Sequence, residues 1–189
     1  MSYQSIALMG KARSGKDTAA HYLVRRYAFT RLALADPLKE MALKINPYVP
    51  TGYGITVRLE ALIADVGWDY AKDQYAEVRR ILQHVGQTVR EYQEDFWLDI
   101  LSGKVTAAYR WNMPVVVTDV RYPNEFAELR RRGFLMVRLE RPSAGASSAE
   151  AQRHESETAL NGYPPDVTLP NDGTIDDLNE WLNALVRSR

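Results

Sequence analysis

A glycine-rich segment near the amino terminus has the residue types and spacing of a phosphate-binding loop. Residues 10–16 read Gly-Lys-Ala-Arg-Ser-Gly-Lys and fit the pattern G-x-x-x-x-G-K. Glycines allow the backbone to curl so that successive N–H groups point at phosphate oxygens, and a following helix adds the positive end of its dipole. Lys16 would then reach the β- and γ-phosphates of a nucleoside triphosphate. The candidate nucleotide-binding residues are Gly10, Lys11, Ala12, Arg13, Ser14, Gly15, Lys16, Asp17 and Thr18.

Three side chains with oxygen atoms are candidate ligands for Mg²⁺. The usual phosphate-loop pattern has Ser or Thr after the lysine, where the hydroxyl holds the metal. Here Asp17 follows Lys16 and Thr18 comes next, so either Asp17 contacts the metal shell or Thr18 takes the hydroxyl role. Asp119 ends a run of β-branched residues, and a carboxylate at the end of a buried strand is the usual partner of a phosphate loop in holding Mg²⁺.

Residues 73–92 have helical periodicity, and one side of this helix carries residue types that bind anions. The flank that lies roughly 110° from the apolar stripe contains Arg79, Gln83, Gly86 and Arg90. A glycine inside a helix costs about 1 kcal/mol relative to alanine, and a close approach by a ligand or another backbone would explain Gly86. The two arginines offer planar forks for an anion. This flank is therefore a candidate substrate face.

Three further arginines are candidates for the same cleft. Arg121 follows Asp119 at the predicted carboxyl edge of the sheet, where open α/β folds bind ligands. Arg141 and Arg153 flank a segment rich in Ser, Ala and Gly, as arginines on a closing lid would. The run at residues 130–132 is predicted to be a solvated helix end.

Alternation of predicted strands and helices sets the fold class. Apolar runs closed by glycine, proline or aspartate predict strands, and apolar residues at helical spacing predict helices. In chain order these are strand 5–9, helix 16–27, strand 29–35, a helix opened by Pro37, helices 73–92 and 95–109, strand 115–119, helix 123–132, strands 134–140 and 166–169, and helix 175–186. Residues 46–72 and 142–150 are predicted to be loop-rich. This order predicts an α/β fold with a parallel sheet covered by helices on both faces.

Length and composition limit the function classes. The chain has 189 residues, which predicts one domain at roughly 150 residues per domain. It has no cysteine, which excludes disulfides, thiol catalysis and cysteine metal sites.

The chain has no run of about 18 apolar residues and no signal-like amino terminus, so we expect a cytoplasmic protein with no membrane contact. The 24 Lys and Arg residues balance 24 Asp and Glu residues, which disfavours a nucleic-acid polymer as partner. The sequence leaves a homodimer open.

Several segments, in order along the chain, resemble bacteriophage-type deoxynucleoside monophosphate kinases. The most specific are the loop 10–18, with its unusual Asp-Thr ending, and residues 118–125, which read Thr-Asp-Val-Arg-Tyr-Pro-Asn-Glu. Shorter similar segments are residues 35–39, 82–86, 95–97 and 154–157. The resemblance spans residues 5 to about 180.

The resemblance implies a P-loop NTPase fold, which is a three-layer α/β/α sandwich with a five-stranded parallel sheet. It implies one kinase domain over residues 1–189, with a helical monophosphate-binding insertion at about 37–95 and a lid at about 141–156. The implied catalytic residues are Lys16 and Arg13 on the ATP phosphates, Asp36, and Arg121, Arg141 and Arg153 on the transferring phosphoryl group. Candidate substrate-binding residues, from the resemblance and the helix flank together, are Asp36, Arg79, Gln83, Gly86, Arg90, Trp97 and Arg121.

The expected activity is Mg²⁺-assisted transfer of the ATP γ-phosphoryl group to a deoxynucleoside monophosphate. Asp36 is expected to orient substrate or metal rather than to abstract a proton. One alternative is a kinase for another small acceptor, of the dephospho-coenzyme A or phosphomevalonate type, because the loop alone does not identify the acceptor. A second alternative is a nucleotide-binding module without kinase activity. The accepted bases and the choice between ribo- and deoxynucleotides stay open.

Overall fold

A computed structural model describes residues 3–142 and 158–187. Arg153 and residues 143–156 of the expected lid lie outside the described residues. The strands are β1 (Ile6–Met9), β2 (Thr30–Leu32), β3 (Tyr48–Gly52), β4 (Ile55–Arg58), β5 (Val115–Val117), β6 (Leu135–Glu140) and β7 (Val167–Pro170). Five of them form one parallel sheet in the order β2-β5-β1-β6-β7, and β3 pairs with β4 as an antiparallel hairpin.

Helices follow most of the strands, as the sequence predicts. They are α1 (Lys16–Tyr27), α2 (Ala35–Ile45), α3 (Leu59–Gln74), α4 (Ala76–Tyr92), α5 (Phe96–Arg110), α6 (Pro123–Arg131) and α7 (Ile175–Arg187). The start of α6 follows from Pro123, whose fixed φ suits the first helical position. The end of α1 is marked by Ala28 in the left-handed region at φ 55°, with its N–H donating to the Val24 carbonyl.

The strand order creates a crevice at the carboxyl ends of β1 and β5. These two strands are neighbours, yet the connection from β1 crosses to β2 on one side and the connection from β5 crosses to β6 on the other. Because parallel crossovers are right-handed, α1 and α6 lie on opposite faces of the sheet. Ligands of open α/β folds bind at such a switch point. The predicted α/β class with a five-stranded parallel sheet is confirmed.

The sheet is buried on both faces, which explains the continuous apolar runs of its central strands. All residues of β1 and β5 are buried. Ile6 and Leu8 pack in one cluster with Leu23 of α1 and Leu182 of α7. Ala7 and the other odd-numbered residues of β1 point to the opposite face, since strand side chains alternate.

The chain divides into two compact units by its internal contacts: a sheet unit (Met1–Ala33 and Leu101–Arg189) and a helical unit (Leu34–Ile100). The core of the helical unit contains Ala42, Val49, Leu59 and Val78, from α2, β3, α3 and α4. The whole of the expected monophosphate-binding insertion falls within the range of this unit.

The prediction that residues 46–72 are loop-rich is wrong. This stretch forms the β3–β4 hairpin and most of α3. Gly52, Tyr53 and Gly54 all have positive φ, at 112°, 50° and 76°, so the glycines form the turn of a hairpin and do not mark a long loop. Gly67 at φ 75° interrupts α3 with a kink, which weakens the periodic signal of that helix.

In the part of the chain that the structure describes, no helix is both long and apolar enough to cross a membrane.

Candidate functional site

The segment between β1 and α1 is a tightly curled loop. Gly10, Arg13 and Gly15 all have positive φ, at 136°, 63° and 100°, so the chain reverses its curvature three times in six residues. At Gly10 a side chain is excluded, because a Cβ atom there would collide with the carbonyl oxygen of Leu139 in β6. The backbone thus has the curled form that a phosphate-binding nest requires, and phosphate binding by residues 10–16 stays a prediction.

The ammonium group of Lys16 lies over this loop. Its Nζ donates hydrogen bonds to the carbonyl oxygens of Gly10 at 2.8 Å and Lys11 at 2.7 Å. Lys16 is the first residue of α1, so its charge and the amino end of the helix dipole act at the same place. The arrangement concentrates positive potential where an oligophosphate would lie.

The segment that follows β5 lies at the same edge of the sheet as the loop. Ala7 pairs with Val117, the last residue of β5, so Asp119 follows that strand by two residues, and Gly10 directly follows β1. The N–H of Val120 donates to the Leu8 carbonyl at 3.4 Å, which holds this segment against β1. Asp119 is half-buried in the segment that follows β5, and its role as a metal ligand stays a prediction.

A buried carboxylate fixes the backbone of the next residues. Glu125, in the first turn of α6, is only 4% exposed. It accepts hydrogen bonds from the backbone N–H groups of Arg121 at 2.8 Å and Tyr122 at 3.0 Å. This is the carboxylate half of a capping box, and it fixes the backbone that carries the Arg121 side chain.

Replacing Glu125 with alanine is expected to lower the free energy of unfolding by about 2 kcal/mol, because two backbone donors lose a buried acceptor. Glu125→Gln, which keeps an acceptor oxygen, is expected to lose less. Urea denaturation of the two variants measures the difference. Glu128→Ala on the same helix is the matched control, since Glu128 pairs only with partly exposed arginines and such pairs contribute about 1 kcal/mol or less. Equal stability of wild type and Glu125→Ala would contradict this role.

A cavity of about 490 Å³ opens beside the loop in the sheet unit. Four cationic side chains line it, namely Lys11, Arg121, Arg138 and Arg141. Arg138 of β6 donates to the carbonyl oxygens of Leu160 at 2.9 Å and Tyr163 at 2.8 Å, so it anchors the turn that forms one wall. Two acidic residues, Glu140 and Asp172, also line the cavity, so cationic side chains outnumber acidic ones, a balance that would suit phosphate groups.

The donor set fits a magnesium ion that is held largely by phosphates. Asp17 and Thr18 are exposed in the first turn of α1, and Asp119 is half-buried at the crevice. Among residues 3–142 and 158–187, no three acidic or histidine side chains cluster as a metal cage. Mg²⁺ commonly binds through one or two carboxylates together with substrate phosphates and water, so these oxygen donors are sufficient.

In the helical unit, the flank of α4 lies beside α2 and the end of α3. The side chain of Arg79 donates to the Lys72 carbonyl at 2.6 Å and to the Asp73 carboxylate at 2.8 Å, so it caps the end of α3. A Cβ atom on Gly86 would lie 3.2 Å from Leu38 Cδ2, so the glycine allows α2 to pack closely on α4. Gly86 therefore has a packing role within the helical unit.

Arg90 is the most enclosed cation on that flank. Its side chain is 11% exposed, and its Nη2 lies 3.8 Å from the carboxylate of Glu94, which is itself 72% exposed. Such a long ion pair with a solvated carboxylate is itself weak. Gln83 lies half-buried on the same flank, and Asp36 lies half-buried in the first turn of α2.

Trp97 is buried, with 5% of its surface exposed. Its indole N–H donates to the Gly86 carbonyl at 3.3 Å, and its ring meets Phe96 edge-on at a centroid distance of 4.9 Å. Trp97 therefore fixes the start of α5 to α4 at Gly86.

The arginines at residues 130–132 are accounted for by local contacts. Arg131 and Arg132 donate to Glu128, and Arg130 pairs with Asp166. Hydrogen bonding from Arg131 is the main reason that the pKa of Glu128 lies below its usual value. The prediction of a solvated helix end agrees with these contacts.

Comparison with protein families identifies the chain. The family model for deoxynucleotide monophosphate kinase matches residues 4–49 and 53–182, which include the phosphate loop, the crevice after β5 and the α4 flank. The chain belongs to this family. Its activity class is accordingly that of a nucleoside monophosphate kinase.

Relatives and solved structures agree with the family and the fold. The chain is 29% identical to the protein of Acanthamoeba polyphaga mimivirus named "Putative deoxynucleotide monophosphate kinase", over 96% of this chain and 95% of the relative. It is 25% identical to the uncharacterized protein ORF76 of Ictalurid herpesvirus 1, over 96% of this chain and 66% of the relative. TT1252 from Thermus thermophilus, 19% identical, has a similar fold with a TM-score of 0.50 over 98% of this chain and 97% of that protein.

The structure also identifies residues to which sequence reasoning assigned no role. Glu125 had a usable signal, because Pro123 at the first helical position followed by Glu two residues later is typical of a helix start. Arg138 has no local sequence signal for its role, because its carbonyl partners at residues 160 and 163 are distant in sequence.

Proposed function

We propose that the chain transfers the γ-phosphoryl group of ATP to the phosphate of a deoxynucleoside monophosphate, giving ADP and a deoxynucleoside diphosphate. The bond from the γ-phosphorus to the β–γ bridging oxygen breaks, and a bond from a phosphate oxygen of the acceptor to the γ-phosphorus forms. The observation that carries the proposal is the curled loop with Lys16 over it at the switch-point crevice, in a chain of this kinase family.

The sheet unit would hold the phosphates of the donor. The N–H groups of the loop and the ammonium of Lys16 would bind the phosphate oxygens of ATP, with Arg13 at the loop's left-handed position. Arg121 and Arg141 line the adjacent cavity and would stabilise the negative charge on the transferring group. Arg153 is proposed for the same role from the sequence. Phosphoryl transfer depends mainly on such positioning and charge stabilisation.

The helical unit would hold the acceptor. The guanidinium of Arg90, which is 11% exposed, and the side-chain amide of Gln83 are suited to a monophosphate. Asp36, Arg79, Gly86 and Trp97 would contribute to this site, and Arg121 is proposed from the sequence as a further substrate-binding residue. The acceptor phosphate needs no strong base, because its second pKa is about 6 and it is ionised near neutral pH. Asp36 would orient the substrate or the metal.

Magnesium would be held by Asp119 and by either Asp17 or Thr18, together with the phosphates. When bound, it would neutralise charge on the β- and γ-phosphate oxygens. Asp119 would orient the ion's water shell from the crevice, and Asp17 or Thr18 would do so from the first turn of α1.

The proposal predicts that ADP formation depends on the acceptor. With ATP and Mg²⁺, a coupled assay is expected to show ADP release with one or more deoxynucleoside monophosphates and release at least about a hundredfold slower with none, since a positioned acceptor replaces water in the transfer. The screen should include the common ribo- and deoxynucleoside monophosphates, dephospho-coenzyme A and phosphomevalonate.

Each outcome of this screen tests one alternative to the proposed function. Turnover with dephospho-coenzyme A or phosphomevalonate, and with no nucleoside monophosphate, would show that the proposed acceptor is wrong. Equal ATP hydrolysis with and without any acceptor would favour a nucleotide-binding module without kinase activity. Turnover with ribonucleotides as fast as with deoxynucleotides would overturn the deoxy preference but not the kinase activity.

A further inference from the structure

A side chain from the far end of the chain is hydrogen-bonded to the phosphate loop. Asn171 directly follows β7, and its backbone N–H donates to the Glu140 carbonyl at 2.8 Å, so it extends the pairing of β7 with β6 by one bond. Its side-chain Nδ2 donates to the carbonyl oxygen of Ser14 at 2.8 Å. The two residues are separated by 157 positions in sequence, yet both belong to the sheet unit.

The same amide group packs against Gly15. A Cβ atom at Gly15 would collide with Nδ2 of Asn171. Ser14 is 1% exposed and the hydrogen bond to its carbonyl is partly buried, so leaving that carbonyl without its donor has a cost. Asn171 therefore contacts both ends of the Ser14–Gly15 peptide.

The peptide between Ser14 and Gly15 transmits the effect of this contact. In a planar trans peptide the C=O and the following N–H point in opposite directions. Because Asn171 holds the Ser14 carbonyl, the Gly15 N–H is fixed to point away from Asn171. Within residues 3–142 and 158–187, the Gly15 N–H donates to no acceptor, so it is available for a ligand.

Other carbonyl groups of the loop are held differently. Lys16 Nζ bonds to the carbonyls of Gly10 and Lys11, and the Ala19 N–H bonds to the carbonyl of Gly15 within α1. When Lys16 also serves phosphate oxygens, its three donors are divided between loop and ligand. The Asn171 side-chain amide, in contrast, is not proposed to bind phosphate, so its bond to the Ser14 carbonyl can persist when the nucleotide is bound.

We propose that Asn171 is a positioning residue that keeps the Ser14–Gly15 peptide in the orientation that binds the donor phosphates. The inference rests on the proposed use of ATP and goes beyond it, because it assigns loop orientation to a residue outside the loop. Asn171 does not need to touch the nucleotide for this role.

Asn171→Ala and Asn171→Asp test the proposal. We expect Asn171→Ala to raise the KM for ATP about tenfold, the effect of one lost, partly buried hydrogen bond, while the KM for the monophosphate changes less than about twofold. Asn171→Asp keeps the volume but removes the donor and places a carboxylate against the Ser14 carbonyl. It is expected to raise the KM for ATP more than Asn171→Ala does.

Asn183→Ala is the matched control. Asn183 of α7 accepts hydrogen bonds from Tyr22 and Tyr27 of α1, so its loss should lower the melting temperature without changing the KM for ATP. If the Asn171 variants lose only thermal stability, as Asn183→Ala does, or raise both KM values equally, the positioning role is wrong. Absence of ATP-dependent turnover in the wild type would instead overturn the proposed function, so the two failures are distinguishable.

Discussion

Replacing Lys16 with alanine is expected to reduce acceptor-dependent ADP formation by about a thousandfold or more, since a charged donor aimed at the transferring phosphoryl group acts mainly in the transition state. The fold should survive the change. The Lys16 ammonium donates to groups of its own loop, and a hydrogen bond of this kind contributes about 1 kcal/mol net, so the free energy of unfolding should fall by only about 1–2 kcal/mol. A coupled ADP assay and urea denaturation measure the two effects separately.

The control variants for Lys16 separate charge from geometry. Lys16→Arg keeps the positive charge but replaces a compact ammonium with a planar fork, and it is expected to recover only a small part of the activity. Lys104→Ala removes an exposed lysine of α5 and should leave turnover unchanged. Activity of Lys16→Ala within about tenfold of wild type would show that the loop does not act on the transferring group.

The phosphate loop could be predicted from sequence because its structure is locally encoded. Gly10 and Gly15 take positive φ values that other residues adopt only at a cost, and the apolar run before them and the helical pattern after them define the strand and the helix. Asp119 could be placed for a similar reason. Carboxyl ends of parallel strands share one edge of the sheet, so the end of β5 had to lie near the loop once both strands were recognised.

What could not be predicted depends on contacts between distant parts of the chain. Pro50, Gly52 and Gly54 have the composition of a loop, yet β3 and β4 form because Val49 pairs with Val57 and is buried in the helical unit. Gly86 indicated a close approach, but only the structure shows Leu38 beside it. Asn171 had no local signal, because its role depends on a bond to a carbonyl 157 positions earlier.

The composition of the α4 flank was predictable, but the separate contacts of its members were not. Arg79 and Arg90 both lie on this flank, so helical periodicity does not show which of them binds the acceptor. The structure separates them: Arg79 makes close bonds to Lys72 and Asp73, whereas the ion pair of Arg90 with Glu94 is long. Because Arg79 would have to give up these short bonds to bind an anion, and because the family resemblance assigns Arg90 to the monophosphate, we propose Arg90 for the acceptor phosphate.

Arg90→Ala is therefore expected to raise the KM for the monophosphate by about thirtyfold, since a charge-assisted hydrogen bond to phosphate contributes about 2 kcal/mol. The KM for ATP should stay within about twofold, because the change removes an interaction with the acceptor alone. Steady-state kinetics with each substrate varied in turn gives both values. Urea denaturation checks that removing a side chain with 11% exposure has not unfolded the helical unit.

Three neighbouring substitutions make the result for Arg90 specific. Arg80→Ala, on the same helix, removes an arginine that is 68% exposed and paired with Glu77, and it should change neither KM. Glu94→Ala removes the solvated partner of Arg90 and should affect the KM for the monophosphate only slightly, because that ion pair is weak. Arg90→Lys keeps the charge without the two-pronged geometry and should fall between wild type and Arg90→Ala. A rise of both KM values by the same factor in Arg90→Ala would place this guanidinium outside the acceptor site, because loss of an acceptor contact cannot weaken ATP binding equally.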